Sequence, residues 1–201
     1  MTDSEDAGWR TLPNAITLLR LLMLPVFLWL LFDTNHRAIA AWLLGALGAT
    51  DWIDGFVARR LHQVSNVGKV LDPTADRILV ITGVLAVAVA GGVPWWFAGL
   101  TLVREIIVSG MTLVLAAFGA TRINVLWWGK VSTFALMTTF PLFLLTTNPH
   151  GAPLLGWQHD ARDVCWGIGI MGLSLSWLVL FGYVRPALNA LRTGRQGRKI
   201  L

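Results

Sequence analysis

Residues 51–77 read Asp51-Trp52-Ile53-Asp54-Gly55-Phe56-Val57-Ala58-Arg59, then eight residues to Gly68, then Lys69-Val70-Leu71-Asp72-Pro73-Thr74-Ala75-Asp76-Arg77. Four of the chain's eleven acidic residues fall in this stretch, and the sequence on both sides is apolar for tens of residues. A charge at bilayer depth costs about 2.5–3.5 kcal/mol on insertion scales. Four neighbouring carboxylates also repel one another, so something positive must sit among them. A pair of divalent cations is the simplest candidate.

The spacing agrees. Asp51 and Asp54 are i,i+3, and Asp72 and Asp76 are i,i+4. Each separation puts two side chains on one helix face. Two helices, each offering such a pair, can enclose metals about 3.5–4 Å apart, the separation used in two-metal phosphoryl chemistry. Oxygen ligands favour Mg²⁺, Mn²⁺ or Ca²⁺ over zinc. A helix–loop–helix calcium site is excluded, because the alternating D-x-D-x-D-G pattern is missing. Gly55 and Gly68 leave room for a phosphate ligand to approach the backbone.

Composition sets the surroundings. The chain has 201 residues, 55% hydrophobic and only 13% charged, against about 25% charged in a soluble domain. This is the balance of an all-α integral membrane protein. The net charge of +5 sits mainly beside apolar spans, which points to anionic lipid headgroups and away from nucleic acid. The one cysteine, Cys165, allows no intramolecular disulfide. The acidic start, Met1 to Gly8, does not read as a removable signal peptide.

Six spans are expected in one bundle: Ile16–Phe32 with a kink at Pro25, Ala38–Arg60, Gly68–Val89, Phe97–Phe118, Val125–Leu145 and Val164–Val184. Thr146–Asp163 reads as the longest loop. Residues 1–12 form a tail and a short N-terminal interfacial segment, 13–190 the membrane domain, and 191–201 a basic tail. Arg10, Arg59, Arg60, Lys69, Arg122, Lys130, Arg185, Arg192, Arg195, Arg198 and Lys199 fall on one side, and only Arg37 and Arg162 on the other. The positive-inside rule then puts both termini and the carboxylates on the cytoplasmic face of the inner membrane. Gly45, Gly48, Gly110, Gly167, Gly169 and Gly172 are positions where helices can pack closely. Arg104 and Glu105 are charged inside the fourth span, where an ionisable pair is either functional or a structural salt bridge.

The string D-x2-D-G-x2-A-R-x8-G-x3-D-x3-D resembles the signature of the CDP-alcohol phosphotransferase family, with every position filled. Leu12-Pro13-Asn14-Ala15-Ile16-Thr17-Leu18-Leu19-Arg20 resembles the family's first membrane helix. Arg104-Glu105-Ile106 and Gly129-Lys130 resemble later segments of its phosphatidylglycerophosphate synthase branch, with actinobacterial-type cardiolipin synthases close by. The resemblance covers about residues 12–190. It implies transfer of a phosphatidyl group from CDP-diacylglycerol to an alcohol with release of CMP, using two Mg²⁺ or Mn²⁺ ions. It assigns Asp51, Asp54 and Asp72 as metal ligands, and Asp76 as the base, which also touches a metal. Gly55, Ala58, Arg59, Ser65 and Gly68 would line the CDP-lipid site. Asn14 and Thr17 would contact the CDP part, or else cap the first helix. Arg104 and Lys130 would hold the acceptor. Homodimers are usual among similar proteins.

Two departures bear on the acceptor. The branch usually carries an arginine eight residues after the position of Arg104, where this chain has Thr112. It also tends to carry a lysine two residues after Lys130, where this chain has Ser132. Glycerol 3-phosphate is the expected acceptor, phosphatidylglycerol the alternative and inositol phosphate a weaker third. A carboxylate-dependent ion-coupled transporter is the reading from another class, but it calls for midplane charges and paired repeats. An aromatic prenyltransferase calls for a second aspartate motif, which is absent from the sequence.

Overall fold

The computed structural model describes residues 12–61, 68–117, 127–148 and 153–197, with side chains for 15–50, 74–111, 127–148 and 153–182. Six helices appear among these residues, as the apolar runs predict: α1 (Leu12–Phe32), α2 (Arg37–Leu61), α3 (Gly68–Val89), α4 (Trp95–Ala117), α5 (Trp127–Leu145) and α6 (Gly156–Gly197). No strand occurs among the described residues. The expected interfacial segment before residue 12 lies outside them. α1 runs through Pro25 and α5 through Pro141 without interruption.

α1 starts at Leu12, four residues before the expected Ile16, and α6 departs further from expectation, at both ends. The sixth helix was expected over Val164–Val184 after a loop reaching Asp163. It instead starts at Gly156 and continues to Gly197, for 42 residues. That is about twice the ~20 residues that cross a bilayer. Its start is fixed locally: the Gln158 side chain accepts from the Leu155 N–H at 2.8 Å, and the Gln158 N–H donates to Leu155 O. This is the glutamine half of a capping box. At the other end the apolar run stops, but Ala187, Leu188, Ala190, Leu191 and Arg192 are good helix formers.

The surface is apolar. Leu18, Leu22, Trp29, Trp42, Phe134, Met171, Leu178 and Phe181 are each more than half exposed, a pattern suited to lipid and not to water. Three helices are long and apolar enough to cross a membrane over Ala15–Phe32, Trp127–Leu145 and Gly156–Gly182. The interior, by contrast, holds polar groups: Thr17, Arg20, Thr101, Arg104, Ser132, Thr139 and Ser176 are all buried. Several satisfy their own helix. The hydroxyls of Thr101, Ser132, Thr139 and Ser176 donate to the carbonyls of Phe97, Gly129, Ala135 and Leu173 at 2.6–2.9 Å.

The chain divides into two compact units. In the first, α1 packs on α2 and α3, joined by the end of α5 and the start of α6. α1 buries a stripe at helical spacing, Thr17, Arg20, Leu24, Phe27 and Leu31. α3 ends in a Schellman motif: Gly91 takes φ 75°, its N–H donates to Ala88 O, and the Gly92 N–H donates to Val87 O. Two arginines cover the carbonyls left at helix ends. Arg37 donates to Ala90 O at 3.0 Å. Arg162 donates to Gly92 O, Thr146 O and Thr147 Oγ1 at 3.1–3.3 Å. Cations are favoured at helix C-termini, where carbonyl dipoles point outward. These two residues, read from sequence only as the sparse charges of one loop face, are therefore structural clasps.

The second unit contains α4, Trp127–Thr139 of α5 and α6 from Asp163 onward. Trp96 stacks on Trp166 at 5.9 Å, and Phe97 meets Trp166 edge-on at 5.6 Å. α5 and α6 approach closely at Gly172, where an added Cβ would lie 3.0 Å from Ala135 Cβ and 3.5 Å from Leu136 N. Gly45 faces Pro141 in the first unit at ordinary contact distance. Gly110 and Gly167 instead face open space, contrary to the close packing expected there.

Two stability outcomes follow, both measurable from thermal unfolding in detergent. Gly172→Val should cost about 1–3 kcal/mol by overpacking, while Gly167→Val should stay within about 0.5 kcal/mol. Arg162→Ala should cost about 2 kcal/mol, because charge-assisted hydrogen bonds to the ends of two helices are lost.

Candidate active site

α2 carries Asp51, Asp54, Gly55, Ala58 and Arg59, and α3 carries Gly68, Asp72 and Asp76. Asn14 and Thr17 lie on α1. Ser65 is outside the described residues, as are the side chains of Asn14, 51–61 and 68–73. For these positions the helix backbones supply the geometry.

α2 and α3 run antiparallel in a register set by two contacts. Arg37 of α2 reaches Ala90 O of α3. Seven residues on, Leu44 meets Gly83, which is seven residues back along α3; an added Cβ at 83 would lie 3.0 Å from Leu44 Cδ1. Seven residues is nearly two helical turns, so a further step of seven returns to the same face. By this count position 51 stands opposite position 76, and position 54, about one turn further along α2, stands within one residue of position 72.

α1 completes this end of the first unit. It is joined to α2 by the short turn Asp33–His36, with Asn35 in the left-handed region at φ 55°, which asparagine tolerates. The start of α1, the end of α2 and the start of α3 thus lie together. Thr17 is fully buried on the α1 stripe, well inside the helix, so helix capping is not its role. Asp76 is partly buried, Arg77 likewise, and Thr74 is exposed.

Among the described side chains no three His, Cys, Asp or Glu residues gather into a metal site; three of the four motif carboxylates lie outside that set. The donor chemistry still fits a hard cation. The motif's donors are all carboxylate oxygens, with no thiolate or imidazole among them, a set suited to Mg²⁺ or Mn²⁺.

Arg104 and Lys130 belong to the second unit. Arg104 is buried on α4 and ion-paired with Glu105. Lys130 is exposed near the start of α5, beside the exposed Trp127 and Trp128. Ser132 is fully buried and donates to Gly129 O at 2.9 Å. Sequence reasoning gave no role to Arg20, the bulkiest of the fully buried side chains. The available signal was a lone arginine amid the apolar run Ile16–Phe32.

Comparison with known proteins supplies the chemistry's name. Residues 10–184 match the family model described as CDP-alcohol phosphatidyltransferase. A Mycobacterium tuberculosis relative named for cardiolipin synthesis is 31% identical over 190 residues, covering 94% of this chain and 87% of its own. The cardiolipin synthase (CMP-forming) of Streptomyces coelicolor is 32% identical over 173 residues, 83% of this chain and 78% of its own. The CDP-diacylglycerol–glycerol-3-phosphate 3-phosphatidyltransferase of Bacillus subtilis is 35% identical over 153 residues, 69% of this chain and 78% of its own. With a family match over residues 10–184 and relatives above 30% identity along most of its length, the chain belongs to the CDP-alcohol phosphatidyltransferase family.

Proposed function

We propose that this protein transfers the phosphatidyl group of CDP-diacylglycerol to glycerol 3-phosphate and releases CMP, as a step of phospholipid synthesis. The observation that carries the reading is the family match over residues 10–184, together with the D-x2-D-G-x2-A-R-x8-G-x3-D-x3-D string borne by α2 and α3. Asp51, Asp54, Asp72 and Asp76 would hold two Mg²⁺ or Mn²⁺ ions. Such ions, when bound, neutralise a diphosphate and stabilise CMP as the leaving group.

The chain's own residues do the rest. Asn14, Thr17, Gly55, Ala58, Arg59, Ser65 and Gly68 bind the CDP part, the small residues by leaving space and Arg59 by pairing with a diphosphate oxygen. Asp76 accepts the proton of the acceptor hydroxyl. The hydroxyl oxygen bonds to the lipid-side phosphorus, the bond from that phosphorus to the bridging oxygen breaks, and CMP departs with the electron pair. Arg104 and Lys130 recognise the acceptor's phosphate.

Glu105 sharpens that recognition. Arg104 is already paired with a carboxylate, so an acceptor must compete with a full negative charge. A phosphate monoester carries about −1.5 to −2 at pH 7 and competes well. A phosphodiester carries one charge and competes poorly, which favours glycerol 3-phosphate. Phosphatidylglycerol, giving cardiolipin, is the second reading. It is favoured by Ser132, which stands where the glycerol 3-phosphate branch tends to carry a lysine and whose hydroxyl is engaged by Gly129 O. The protein works in the cytoplasmic membrane, with residues 13–190 as the membrane domain and 1–12 and 191–201 as its tails. Both termini and the active site face the cytoplasm, and the assembly is a homodimer.

The test is purified protein with CDP-diacylglycerol and Mn²⁺, offered glycerol 3-phosphate, phosphatidylglycerol or inositol phosphate separately. Phosphatidylglycerophosphate is the expected lipid product. Cardiolipin would select the second reading, and no CMP release with any acceptor would overturn both. Asp76→Asn should lower kcat by about 10²–10⁴-fold, the usual scale for removing a general base, with CMP release as the readout.

A further inference from the structure

We propose that Arg20 is a positioning residue of this site, a permanent internal cation that offsets the repulsion among the four aspartates and holds them together when no metal is bound. The inference rests on the metal-site reading above.

Arg20 is 1% exposed. Its guanidinium stays charged at any physiological pH, and a charge removed from water is tolerated only beside an opposite one. Arg20 lies on the buried α1 stripe between Thr17 and Leu24, and α1 packs on α2 and α3. The sequences of those two helices contain four acidic residues, Asp51, Asp54, Asp72 and Asp76, and no others.

Height along the helices agrees. α1 ends at Phe32 and α2 begins at Arg37. Counting back from the end of α1 and forward from the start of α2, Arg20 falls level with Ala49, two residues short of Asp51. Side chains on a helix lean toward its N-terminus. For α1 that direction leads from the level of Ala49 toward the level of the aspartates. A long, planar guanidinium with five donors can then serve more than one carboxylate oxygen.

The consequence is a cluster whose fixed charge is smaller than four aspartates alone would give. Metal binding and Arg20 act on the same repulsion, so losing one makes the protein lean harder on the other. The experiment measures Tm of detergent-purified wild type, Arg20→Lys and Arg20→Met, each in EDTA and in saturating Mn²⁺, all purified with Mn²⁺ present. Arg20→Met should unfold earlier in EDTA, and its gain from Mn²⁺ should exceed that of wild type by about 4 °C or more. Arg20→Lys, which keeps the charge, should gain as wild type does.

A role in packing alone would lower Tm equally with and without Mn²⁺, and that result overturns the proposal. Failure to obtain Arg20→Met even with Mn²⁺, while Arg20→Lys behaves as wild type, moves the test to Arg20→Met/Asp51→Asn. Removing one carboxylate should restore a purifiable protein, and its failure to do so also overturns the proposal. No Mn²⁺-dependent gain in wild type itself would instead remove the metal reading on which the proposal stands.

Discussion

Carboxylates among apolar helices persist only where positive charge shares their surroundings. That electrostatic constraint governs the first unit of this protein. Four aspartates on α2 and α3 cannot be left to themselves. The outward faces of the helices are rich in exposed Leu, Ile, Trp and Phe. On the reading proposed above, Arg20 on α1 and ions admitted with a phosphorylated substrate supply positive charge from within. Thr17 and Arg20, both buried on α1, would then belong with the aspartates to one charge-balanced interior.

The two ends of the first unit solve different problems with the same residue type. At the end holding the α1–α2 turn, Arg37 and Arg162 meet backbone carbonyls just past the ends of α3 and α5. Those carbonyls carry partial charges only, so the arginines close helix ends that would otherwise lack partners. At the other end the demand is for full positive charge. The Arg37–Ala90 and Leu44–Gly83 contacts also tie α2 to α3 on the side away from the aspartates.

Much of this was legible in the residues. The six helices follow from apolar runs bounded by polar turns, and α3 has the boundaries expected from Gly68 and Val89. The aspartate spacing was legible too, because i,i+3 and i,i+4 are properties of a single helix. What was not legible depends on contacts between segments or on signals hydropathy does not weigh. Hydropathy reports where lipid stops, not where backbone hydrogen bonding stops, so it missed Gly156–Asp163 and the continuation of α6 to Gly197. The Gln158 cap was present as a letter but lay in a stretch too polar to suggest a membrane helix. Gly110 and Gly172 are indistinguishable as letters; only the neighbouring α5 backbone separates the glycine that is needed from one that is not. Arg20 lay inside a matched motif, yet its role emerges only once α1 is known to pack on the acidic helices.

The second unit raises the converse problem, a cation buried with its partner already attached. Arg104 and Glu105 are sequence neighbours, whose Cβ directions differ by about a quarter turn of helix, so they meet only because both side chains are long. Pairing makes the charge of Arg104 tolerable on the buried face of an apolar helix, where an unmatched guanidinium is costly. The same pairing leaves little net field around it. A ligand drawn to Arg104 must bring more negative charge than the carboxylate it displaces, or else bind where charge matters less. If Arg104 holds the acceptor as proposed, the choice between a phosphate monoester and a phosphodiester turns on Glu105 as much as on the arginine.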